Sequence, residues 1–162
     1  MRPVISWPDK RLRTAADPVT EITKETHALW DEMIRIMDAM PGYGLAATQI
    51  GEMQRLAVVD CSKERGQSIR LANPKVIGSS TEAFTWEEAS PNLPGRSAKV
   101  TRPVRVTVAF LDQDGKEKEQ DFNDLWATSV QHQIDHLNGI MYFERLSRTK
   151  RDMFLKKLGK PK

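Results

Sequence analysis

The chain has little cysteine, no long apolar run and no low-complexity stretch, and each shortage excludes something. Its single Cys61 cannot close an internal disulfide, which fits a reducing compartment, most simply the cytoplasm. The longest apolar runs, such as Leu56-Ala57-Val58-Val59, fall far short of the ~20 residues that a membrane-spanning helix needs. The opening MRPVISWPDK offers neither an apolar core region nor a small-residue cleavage site, so no secretory signal is expected. No internal repeat or linker divides the 162 residues, which suffice for one domain with its own core. With 39% hydrophobic and 29% charged residues, the composition is that of a soluble globular protein.

The charge is small in sum and uneven in place. The net is +3, yet residues 145–162 carry eight Lys or Arg against the single acid Asp152, a local +7 that leaves −4 for the rest. A basic tail on an acidic body suits a polyanionic partner, and it equally suits a solvated chain end.

Hydrophobic periodicity predicts the main elements. Over residues 26–40, Leu29, Met33, Ile36 and Met40 recur at helical spacing, and Pro41-Gly42 closes the run. Residues 55–60, 68–72 and 82–87 read as strands. VRVTVAFL, residues 104–111, is the clearest strand, and Asp114-Gly115 turns it into another at 116–122. A second helix is expected over 124–137, with an N-cap drawn from residues 121–123 and Gly139 as its stop. A third, basic helix is expected over 148–158. Helices segregated from a block of short antiparallel strands make the class α+β.

Three stretches carry chemistry. QHQIDHLNG, residues 131–139, places His132 and His136 four apart, so both imidazoles leave one helix face and suit either a divalent metal or plain packing. GYGLAATQIG, residues 42–51, crowds small residues before Gln49; it reads as a close backbone approach to a ligand with an amide donor beside it, or as a tight turn. WEEASPNLPGRSAKVTRP, residues 86–103, has three prolines and reads as a structured loop whose acids pair with Arg96 or Arg102.

Taken together and in this order, the three stretches resemble the peptide deformylase family, metal-dependent enzymes that remove the formyl group from the N-terminal methionine of new bacterial or organellar proteins. Gly42, Gly44, Leu45, Ala46, Ala47 and Gln49 match its motif G-x-G-L-A-A-x-Q in full. PDKRLRTAADPV (residues 8–19), ANPKV (72–76) and Arg102-Pro103 are also similar, so the likeness runs from about residue 3 to 145. It implies a peptide-deformylase-like fold over residues 1–147, with short antiparallel sheets around a central metal-motif helix, and a basic C-terminal segment at 148–162. It further implies metal positions at His132, His136 and Ser90. Gln49 falls at the side-chain oxyanion donor, Pro91 at the backbone donor and Gln133 at the acid–base residue. Gly44, Leu45, Leu125 and Ser129 are expected at the substrate, with Thr128 beside them giving a smaller or more polar pocket.

Three of these positions depart from the family. Its second motif, E-G-C-L-S, here reads Glu88-Ala89-Ser90-Pro91-Asn92. A neutral serine hydroxyl is a poor ligand where the family has a thiolate. Pro91 lacks the N–H of the family's leucine, and loss of an oxyanion donor costs ~10²–10³ in rate. In the third motif, Q-H-E-x-D-H, glutamate has become Gln133, which keeps the shape but cannot take up a proton; general acid–base catalysis contributes ~10²–10⁴. Cys61 follows a strand, away from these motifs, and reads as a structural thiol.

The expectation is a cytoplasmic, deformylase-like protein of weak or lost activity. Its divalent metal, Fe²⁺ or Zn²⁺, is weakly held or absent. An N-formyl or N-acyl peptide is the expected partner, together with the ribosome, where Arg148, Lys150, Arg151, Lys156 and Lys157 would meet rRNA phosphate. No membrane partner is expected. The rival is an active divergent deformylase or a metal-dependent amide hydrolase acting on another N-acyl substrate.

Overall fold

A computed structural model describes residues 1–159. Lys160 and Lys162 of the basic tail lie outside the described residues. Three α-helices, α1 (Lys24–Ala39), α2 (Asp124–Leu137) and α3 (Arg148–Leu158), accompany seven strands. A five-stranded antiparallel sheet has the order β1 (Gly44–Ala46), β2 (Leu56–Val59), β3 (Ile69–Ser79), β6 (Arg105–Leu111), β7 (Glu117–Asn123). A separate two-stranded sheet pairs β4 (Ala83–Glu88) with β5 (Ala98–Pro103). Among the described residues no helix is long and apolar enough to cross a membrane.

The fully buried run Leu56–Val59 shows how the core is divided. Strand side chains alternate between faces. Leu56 and Val58 therefore pack with Trp30, Met33 and Met37 of α1, while Ala57 and Val59 pack with Ala127, Val130 and Ile134 of α2. The central sheet lies between the two helices, and β2 is apolar on both sides because both are covered. A third cluster joins Leu12, Leu93 and Val100 to Met141, Tyr142 and Phe143. Against it α3 lays Phe154 and Leu158.

Several elements differ from the sequence expectations. α1 starts at Lys24, where Thr23 accepts the Thr26 N–H in a capping box, two residues before the apolar periodicity begins. β3 runs to Ser79, well past Ala72, because the Asn73-Pro74 break is bridged: the register shifts between Ala72 and Lys75. There Asn73 adopts φ +52 and its carboxamide exchanges 2.8 Å hydrogen bonds with the N–H and C=O of Val19. The stretch 86–103 is not one loop. Its ends are strands, with Glu88 opposite Ala98 and Trp86 opposite Val100, and only the proline-containing middle turns. Residues 44–46 form β1, since Gly44 pairs with Val59.

α2 occupies the expected residues. Its N-cap is Asn123 by backbone position alone, because the side-chain oxygen accepts from Arg105 Nε at 3.0 Å instead of capping. Gly139 stops the helix at φ +76, and an added Cβ there would sit 2.8 Å from the Arg13 carbonyl carbon. Both the left-handed backbone and the close approach require glycine.

Candidate functional site

α2 crosses the sheet next to β1 and presents one face to the loop that joins β4 to β5. Between them lies a cavity of about 390 Å³. Gly44, Gln49, Ser90, Pro91, Leu125, Ser129, His132 and Gln133 all line it, so three stretches distant in sequence converge. Two expected residues do not. Leu45 alternates away from Gly44 on β1 and is buried among the α1 residues, so only its backbone is near the site. His136 sits one helical turn beneath His132 and is 1% exposed.

The two imidazoles face each other, Nε2 to Nε2, at 3.1 Å. Glu88 orients the upper ring: its Oε1 lies 2.8 Å from His132 Nδ1, which leaves His132 Nε2 turned inward. The same carboxylate accepts from Arg102 Nε and Nη2 at 2.7 and 3.0 Å. Arg102 Nη1 reaches Asp135 Oδ2 at 2.9 Å, and Arg145 closes the network on Asp135. Burial pushes the Glu88 carboxyl up, but the hydrogen bonds and charges of His132 and Arg102 outweigh it and hold it below the ordinary carboxylate range. His136 is driven well below the ordinary imidazole value, first by burial and then by the neighbouring His132 and Arg102. Its Nδ1 is buried without a partner.

As a metal centre the arrangement is short of donors. Two imidazoles suit a divalent cation, and Glu88 behind His132 is the kind of support that such ligands use. Among the described residues no group of three His, Cys, Asp or Glu side chains is placed to hold a metal ion. Ser90 Oγ is moreover fully engaged, donating to Asn92 Oδ1 at 2.9 Å and accepting from Gln49 Nε2 at 3.3 Å and Asn92 N at 3.4 Å. The candidate ligands in place are therefore His132 and His136, beside a serine hydroxyl that is already hydrogen-bonded. Cys61 offers no replacement, since it is absent from the cavity lining and its thiol, pushed up to about 12 chiefly by burial, faces the Tyr43 carbonyl at 3.9 Å. Glu87 is exposed and accepts from Ser97 Oγ at 2.7 Å.

Thr128 and Ser129, the two hydroxyl residues expected from the sequence, both line the cavity. Ser129 Oγ spends its proton on the Tyr43 carbonyl at 2.8 Å. Gln133 lies against Gly44, where a Cβ would come within 2.6 Å of its Nε2, and its Oε1 is buried with no partner. Met40, Tyr43 and Trp86, all partly exposed, form an apolar rim that periodicity alone did not mark as functional. Asn92 was also missed; its only signal in the sequence is its place two residues after Ser90. A larger groove, about 790 Å³, runs along the other face of α2 past Arg55, Lys75 and Arg145 and contains none of the expected site residues.

Comparison with known proteins agrees with the motifs. The family model described as polypeptide deformylase matches residues 1–152. A peptide deformylase of Methylocella silvestris is 42% identical over 165 aligned residues, covering 99% of this chain and 84% of that protein. One from Hydrogenovibrio crunogenus is 43% identical over 157, covering 97% and 92%. Among solved structures, the Thermus thermophilus peptide deformylase superimposes with a TM-score of 0.90 at 34% identity, covering 97% of this chain and 92% of that one. The Ehrlichia chaffeensis enzyme, solved in complex with actinonin, gives 0.88 at 32%, covering 98% and 95%. The chain belongs to the peptide deformylase family.

Proposed function

We propose that this member of the family holds the end of an N-formylated or otherwise N-acylated peptide in the cavity beside α2, with deformylation weak or lost. One observation carries the reading: Ser90, Pro91 and Gln133 stand together on the wall of a single cavity that also contains His132. The three altered positions act on one bound group. Gln133 keeps a polar side chain at the base position but cannot hold a transferred proton. Pro91 supplies no N–H. Ser90 supplies no thiolate, so Fe²⁺ or Zn²⁺ is held weakly or not at all. What remains is a binding site, with the apolar rim of Met40, Tyr43 and Trp86 for a side chain and the β1 backbone at Gly44 for an extended peptide.

A second reading, residual hydrolysis of a formyl or other N-acyl amide, is favoured by the intact Glu88–His132 contact, which an abandoned site has no need to keep. Turnover separates the two. The unmodified protein, prepared anaerobically with Fe²⁺, Ni²⁺ or Zn²⁺, should bind a formyl-methionyl peptide and leave it intact. The variant Ser90→Cys with Gln133→Glu should hydrolyse it. Turnover by the unmodified chain at ordinary enzyme rates would overturn the binding reading.

The location that fits bacterial relatives and a lone, partly buried thiol is the cytoplasm. There α3 would present Arg148, Lys150, Arg151, Lys156 and Lys157 to ribosomal RNA as a basic surface. Co-sedimentation with ribosomes that weakens steeply with added salt is the expected result. Binding unchanged by replacing these five side chains with glutamine would exclude that role.

A further inference from the structure

The hydrogen bonds around Asn92 lead further. Its Oδ1 accepts from Gln49 Nε2 at 2.7 Å and from Ser90 Oγ at 2.9 Å. Its Nδ2 donates to two backbone carbonyls, Ile5 at 2.6 Å and Gln49 at 3.1 Å. Because those carbonyls can only accept, the orientation of the Asn92 amide is fixed, and so is the direction of its bond with Gln49. Gln49 is then saturated. Its Oε1 takes the Ala46 N–H at 2.9 Å, and its two amide hydrogens point to Asn92 and to Ser90. No Gln49 hydrogen is left over for a ligand oxygen. All three residues are at least nine-tenths buried, so these bonds are largely shielded from bulk water.

We propose that Asn92 is a positioning residue that latches the site: it holds the Gln49 amide and the Ser90 hydroxyl on each other and away from the carbonyl of a bound N-acyl group. This rests on the reading of the cavity as an N-acyl peptide site. A serine at position 92, as in the family motif, is too short to span Ile5 O, Gln49 O and the Gln49–Ser90 pair at once. The asparagine does so, and it ties residue 5, the turn after β1 and the β4–β5 loop together.

The test compares two restored chains. Both carry Ser90→Cys, Pro91→Leu and Gln133→Glu, and one adds Asn92→Ser; both are loaded with Ni²⁺ and assayed on a formyl-methionyl dipeptide. Ser90→Cys removes the Gln49–Ser90 bond in both chains, so the comparison isolates the Asn92 bond that keeps the Gln49 amide turned away; releasing it should raise kcat about ten-fold or more, with KM changed less than about two-fold. Equal kcat values would overturn the latch, because a merely structural asparagine alters stability without moving kcat. A second measurement needs no metal and no turnover. In the unmodified protein the Gln49 side-chain amide protons, observed by ¹⁵N-edited NMR, should exchange with solvent at least about 100-fold more slowly than those of free glutamine. Exchange at the free rate overturns the proposal, and this result decides if neither restored chain turns over. Failure of the unmodified chain to bind formyl peptide would instead strike the functional reading and leave both latch measurements standing.

Discussion

Arg102 grips both oxygens of Glu88, at 2.7 and 3.0 Å, deep between the small sheet and α2. The pair is almost fully buried, and Arg102 also reaches Asp135 on the helix. Arg102 thus bridges two buried carboxylates, sharing Asp135 with Arg145, and fixes His132 through Glu88. Arg102→Met strands those charges and should lower the unfolding free energy by about 3–5 kcal/mol in urea titrations. A loss under about 1 kcal/mol would mean that Glu88 and Asp135 find other partners. Restoring balance with Glu88→Leu in the same chain should recover part of the loss.

Gly44 allows β1 and α2 to touch. A methyl group there would lie 2.6 Å from Gln133 Nε2 and 2.7 Å from Ser129 Oγ. Gly44→Ala should push the Gln133 amide into the cavity and weaken binding of a fluorescent formyl-methionyl peptide about ten-fold or more by anisotropy. Its fold should persist, since Gly44 is not at positive φ. Unchanged affinity would show that peptide does not pass this wall.

Asp60 predicts a pH dependence of stability. Burial raises its carboxyl, but bonds from the Ser62 hydroxyl and the Ser62 and Gln67 N–H groups, with the charge of Arg65, bring it below its ordinary 3.8. A depressed folded value means that the stabilisation is present above 3.8 and is lost as pH falls through the lower folded value. Asp60→Ala should cost about 1 kcal/mol at pH 7, because two part-buried N–H donors lose their acceptor. The gap between variant and parent should narrow on acidification below pH ~3.8, read from denaturation midpoints at several pH values. A gap independent of pH would refute the carboxylate's role.

Phe154 anchors α3. Its ring stacks on Phe143 with centroids 4.9 Å apart and meets Tyr142 edge-on at 5.8 Å. Its side chain is only partly buried, so Phe154→Ala should cost about 1–2 kcal/mol, less than a fully buried phenylalanine. Amide exchange should quicken through residues 148–158 while α2 stays protected. Equal quickening in α2 would mean that the C-terminal helix and the site unfold together.

The sequence by itself determined the α+β class, the ends of α2, the β6–β7 hairpin and most of the motif residues that meet at the cavity. Those signals are local: a helical period, alternating β-branched residues, an Asp-Gly turn, and short motifs whose spacing survives in one dimension. β3 beyond Asn73 was not legible, because distant partners carry the strand past proline: Val19, 54 positions away, holds the Asn73 side chain, and β6 pairs with residues 75–79. β5 was hidden for a related reason: its partner β4 lies across a proline-containing loop, and one of its two buried inward positions is the charged Arg102, so hydrophobicity does not follow the alternation of burial.

At the site, the identities of Ser90, Pro91 and Gln133 could be read directly, since each is a change of chemistry at a motif position. Only the tertiary structure decided how those groups are occupied. Leu45 turned into the core because β1 alternates. The Ser129 hydroxyl went to a backbone carbonyl, and the Gln49 amide was taken by Asn92, a residue 43 positions distant. A residue's type fixes which hydrogen bonds it can make. Which of them it makes depends on the neighbours that folding brings within about 3 Å, and sequence separation carries no information about that distance.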